Sequence, residues 1–77
     1  MAKIKIVNPN NYDIKWYRAE SPTHRGDGGG SIRANQSHET NIPDGKWIMV
    51  MKFTENRTGD ALGEVTRDNQ VFTVPNL

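Results

Sequence analysis

Residues 47 to 51, Trp47-Ile48-Met49-Val50-Met51, form the longest uninterrupted apolar run in the chain, and the way they are covered decides the fold. Read with their neighbours, residues 46 to 54 make one strand, with Trp47, Met49, Met51 and Phe53 on one face and Ile48 and Val50 on the other. A half-buried strand alternates apolar with polar residues, whereas this one is apolar on both sides. Leaving Ile48 and Val50 in water would forgo about 1.5–3 kcal/mol each, so the second face must be covered. Two covers are open: a loop or terminus of the same chain, or the surface of another copy or of a different protein. The chain has no Cys, which removes disulfides and leaves association among the few ways to stabilise so small a domain. The expectation is a homo-oligomer, or contact with another protein, through an outer face carrying Ile48 and Val50.

Period-two alternation continues outward from this run, and no window fits a helix. Lys3-Ile4-Lys5-Ile6 puts both isoleucines on one face and both lysines on the other. Asn8-Pro9-Asn10-Asn11 supplies turn chemistry, predicting a first hairpin into a strand from Tyr12 to Ala19, with Tyr12, Ile14 and Trp16 on the core side. Ser31 to Asn35 and Glu39 to Ile42 read as weak strands, and Pro43-Asp44-Gly45 is a strong turn. Glu55 to Asp60 reads as a polar loop. Leu62 to Arg67 and Gln70 to Val74 flank Asp68-Asn69, which predicts a last hairpin. Residues 20 to 30, with Gly28-Gly29-Gly30, carry no periodic apolar pattern and read as one long mobile loop. The fold class expected is all-β: a single domain over residues 1 to 77, a small antiparallel β-sandwich or partly open barrel of five to seven short strands.

Composition narrows function mainly by exclusion. At 77 residues, with 10 Lys+Arg against 9 Asp+Glu, the chain has room for one domain and no net field to attract nucleic acid or a membrane. Nothing approaches the roughly 18 apolar residues of a membrane-spanning helix. Met1 to Val7 lacks the apolar core of a secretory signal, so a cytoplasmic location is the default expectation, although a processed secreted chain would look the same. His24, Asp27, His38 and Glu39 match neither a zinc nor a calcium spacing, and no cofactor or metal is called for. No glycine-flanked nucleophile accompanies the serines, and the glycine tract is not followed by Gly-Lys-Ser/Thr, so neither catalysis nor phosphate-loop nucleotide binding is expected.

What remains is binding. Tyr17, together with Arg25 and Asp27 in the loop of residues 20 to 30, joins Ile48 and Val50 as the candidate protein-contact set. Arg25-Gly26-Asp27 looks like the tripeptide that integrin receptors recognise, a match of only three residues. Asn35-Gln36-Ser37 and Asn56-Arg57-Thr58 fit the glycosylation sequon, which has meaning only in a secreted eukaryotic chain. The alternative is a ligand-binding module for carbohydrate or single-stranded nucleic acid, with Lys3, Lys5, Lys15 and Tyr17 sharing one outer face. A solvated face explains the same lysines, so nucleic acid is the less favoured ligand.

Overall fold

The computed structural model describes residues 1–77. Seven strands follow in order, β1 (Ala2–Val7), β2 (Ile14–Ser21), β3 (His24–Ile32), β4 (Ser37–Ile42), β5 (Trp47–Lys52), β6 (Asp60–Glu64) and β7 (Gln70–Thr73), with no helix. They form two sheets, one of three strands in the order β4-β1-β7 and one of four in the order β3-β2-β5-β6. The small β-sandwich expected from the alternation is therefore present. Of its five strand pairings four are antiparallel, and the fifth, β1 with β7, is parallel.

The core lies between the sheets. Ile4 and Ile6 of β1 meet Ile14 and Trp16 of β2, Ile48 and Val50 of β5, and Phe72 and Val74 at the chain's end. This overturns the first expectation. Ile48 and Val50, read as an outer contact surface, are 0% and 1% exposed and belong to the inter-sheet core. The alternating register then turns Trp47, Met49 and Met51 outward. An apolar run on both faces gives alternation no way to choose between them, which is why the assignment reversed.

The outward row is covered all the same, by the chain itself. Met49 and Met51 are 1% and 0% exposed, and the segment between β5 and β6 is tied to β2 and β3. Lys15 Nζ donates to the Glu55 carbonyl at 2.6 Å, and Arg25 Nη1 donates to the Arg57 carbonyl at 3.1 Å. Arg57 is in turn clamped by Glu55 and Asp60 at 3.2 and 3.0 Å. The accessible surface, 4531 Å², is close to the roughly 4,700 Å² expected of a folded monomer this size. The core closes without a second copy, and the argument for self-association through Ile48 and Val50 loses its basis.

Residues 20 to 30 do not form one long loop. The chain turns tightly at Pro22-Thr23 and returns as β3, paired with β2 from Ile14↔Ile32 to Ser21↔His24, with register shifts either side of Ala19. Glycine has a low strand propensity, so the strand was invisible to pattern reading; it exists because β2 offers it a ladder. Gly29 is required there, because a Cβ would lie 2.1 Å from the Trp16 carbonyl oxygen.

Both predicted outer hairpins are also corrected. The turn at Asn8 to Asn11 joins β1 to β2, and the turn at Asp68-Asn69, with Asn69 at φ 62°, joins β6 to β7, yet each crosses from one sheet to the other. Asn8 secures the first crossing. Fully buried, its amide Nδ2 lies within hydrogen-bond distance of the carbonyls of Tyr12, Ile32 and Arg33, while its Oδ1 accepts from the Asn10 N–H.

Candidate binding cleft

Four strands facing three leave one strand without an opposite number. Trp16 of β2 lies against His38 of β4, ring centroids 5.7 Å apart, and Gly63 of β6 lies so close to Phe72 of β7 that a Cβ would come within 2.7 Å of its ring. Thus β4 sits opposite β2, β7 sits opposite β6, and β3 overhangs the three-stranded sheet. Its exposure follows: of nine residues only Ile32 is buried. The sandwich is closed along β6 and β7 and stepped along β3 and β4.

All three concavities of the molecule border β3. One, of about 290 Å³, lies beneath the overhang between Trp16, Arg18, Gly28 and Gly29 and the β4 edge at His38, Thr40 and Ile42. A second, of about 400 Å³, continues it from Ser31 and Ile32 to Ser37 and His38. His38 is common to both, so together they follow the free edge of β4. The third, of about 420 Å³, is on the opposite surface of β3, between Lys15, Tyr17, Gly28–Ser31 and Phe53.

The chemistry of the inner cleft is one-sided. Register places His38 opposite Ile6 and Thr40 opposite Ile4, which puts both on the inward row of β4. Arg18, half-buried on the inward row of β2, makes no hydrogen bond or ion pair in the structure, and its Nη2 packs beside Gly28. The Trp16 indole lies under Gly30, where a Cβ would be 3.3 Å from Nε1. No carboxylate lines the cleft. Glu20, two residues along from Arg18, is committed to Lys46 at 2.6 Å, and that charged hydrogen bond holds its carboxyl below the usual range. Glu39 faces away and pairs with Lys3 at 3.7 Å.

The residues expected to form a site are dispersed. Lys3 and Lys5 lie on the outer face of the three-stranded sheet, Lys15 and Tyr17 on that of the four-stranded sheet, so the shared basic face does not exist. Lys15 and Tyr17 do border the outer concavity, but Arg25 stacks on the Tyr17 ring at 4.3 Å and Lys15 stands 5.9 Å from the Phe53 ring. Arg25 is therefore engaged internally, and Asp27 is exposed on a paired strand instead of a loop tip. Nowhere do three His, Asp or Glu side chains converge as metal ligands.

Sequence reading passed over Arg18, Trp16 and His38 as cleft residues. The first carried a usable signal, because an Arg two positions after Trp16 occupies the core-facing row of its strand. His38 carried none, since its neighbourhood depends on which strand lies opposite. Comparison with known protein families, characterised proteins and solved structures found no match to this chain.

Proposed function

We propose that this chain is a non-enzymatic binding module that takes up an extended segment of another protein as an added strand along the free edge of β4, beneath β3. The observation that carries the reading is the step in the sandwich: the smaller sheet ends one strand short, and two joined concavities run along that step. An added strand would satisfy the outward-pointing N–H and C=O groups of β4 and cover the bare inner side of Gly28–Gly30. Main-chain bonds would supply affinity, and alternate side chains specificity.

A second copy is a poor occupant. If the β4 strands of two copies paired, the partner's β4 would lie beneath β3, where its own β2 already stands opposite it. Overhang and β2 would then claim the same space. Only a strand arriving without a sheet behind it fits. The alternative of a stacking platform for carbohydrate or single-stranded nucleic acid is less well supported, because Arg25 covers Tyr17 and Lys3 and Lys5 lie across the molecule.

Selection of displayed random peptides on the full chain tests the reading. Selected peptides are expected to shift the backbone amide resonances of residues 37–42 and 28–31. Gly30→Leu, which fills the inner face of β3, is expected to abolish binding while leaving the rest of the spectrum folded. Binders that perturb only Phe53 and Tyr17, or no binders at all, would count against it.

A further inference from the structure

We propose that the cleft between Arg18 and β4 is a carboxylate site, so that the segment taken up carries an Asp or Glu facing inward at the level of Arg18; this rests on the strand-addition reading only for the source of the carboxylate. Three observations converge. Arg18, a half-buried residue, sets its guanidinium beside Gly28 with no hydrogen-bond or ion-pair partner in the protein. A guanidinium offers five N–H donors in a planar fork matched to a carboxylate. The Trp16 indole N–H has no acceptor within the chain and borders the same cleft. Across from them, His38 and Thr40 of β4 complete a lining that contains no acidic group, the neighbouring carboxylates Glu20 and Glu39 being held by Lys46 and Lys3.

The charge of the cleft favours a carboxylate over a doubly charged anion. A space of about 290 Å³ between two sheets admits a planar side-chain carboxylate, and one permanent cation balances one negative charge where a phosphate dianion would need two. The bare Gly28 and Gly29 matter here for a physical reason. A side chain at Gly28 would stand 3.4 Å from Arg18 Nη2, between the guanidinium and its ligand.

Two separate readouts on the full-length chain test the site. In the first, sodium acetate is titrated at constant ionic strength, with chloride as the balancing anion, while the Trp16 indole N–H and the Arg18 Nε–H are followed by NMR. A saturable shift of both is expected in the natural protein, with the Trp16 shift absent in Arg18→Met; no shift, or a Trp16 shift that survives in Arg18→Met, overturns the site whether or not any peptide binds. In the second, displayed peptides that shift the β4 amides are compared as acidic and amide versions. Glu→Gln in the peptide is expected to weaken binding about tenfold with the natural protein and to have no effect with Arg18→Met. Equal effects in both proteins would leave strand addition standing and remove the carboxylate. If no peptide binds and acetate still shifts Trp16, the site stands and the source of its ligand is a small free carboxylate.

Discussion

Asn8 shows how much one side chain can hold in a domain of this size. It is the single buried polar residue, and its amide joins three carbonyls from two separate crossings at one end of the sandwich. Asn8→Ala is expected to lower stability by about 2–4 kcal/mol, because buried acceptors lose their donor without access to water. Asn8→Asp, equal in size but ending in two acceptors, should be at least as damaging. Urea unfolding followed by tryptophan fluorescence measures both; a loss below about 1 kcal/mol in either would mean that water replaces the amide. None of this was legible beforehand. Asn8-Pro9-Asn10-Asn11 announces a turn, but a turn residue that is wholly buried looks in sequence like any other Asn.

At the level of elements, β5 and β3 divide the legible from the illegible. The strand at 47–52 was plain from its apolar run, yet its orientation was not, since both rows are greasy and only the opposing sheet decides which is core. The consequence is measurable. Ile48→Lys buries an unpaired ammonium among Ile14, Trp16 and Phe72, and the variant is expected to be unfolded under conditions where the parent is native. Circular dichroism reads the outcome; a folded, soluble variant would return Ile48 to the outer surface where alternation had put it. For β3 the difficulty was the reverse: its glycines hide a strand that tertiary pairing creates, and with it went Arg18, Trp16 and His38 as a group. Turn chemistry told where the chain reverses at 8–11 and 68–69, but carries no information on whether the two arms share a sheet.

At the level of the whole molecule, acid sensitivity follows from surface ion pairs. Both Glu20 and Glu55 titrate below the ordinary 4.5, Glu20 through its hydrogen bond to Lys46 and Glu55 through that to Arg57 and then the Lys52 N–H. Because the unfolded chain takes up these protons more readily, the two carboxylates stabilise the fold above pH 4.5, and that contribution is lost as pH falls through their lowered folded values. Melting temperature recorded from about pH 6 to about pH 2 in low salt should fall more steeply for the parent than for a Glu20→Gln/Glu55→Gln variant. Added salt should narrow the gap, since both groups are exposed.

The parallel ladder of β1 and β7 has a mechanical consequence. From Asn69 N–H on the Lys3 carbonyl to Val74 N–H on the Val7 carbonyl, first and last strands run side by side in the same direction. Pulling the two termini apart would therefore load the whole row of hydrogen bonds at once, in shear, whereas pulling an antiparallel hairpin open breaks its bonds one after another. The chain resists tension along the line that loads this parallel ladder in shear.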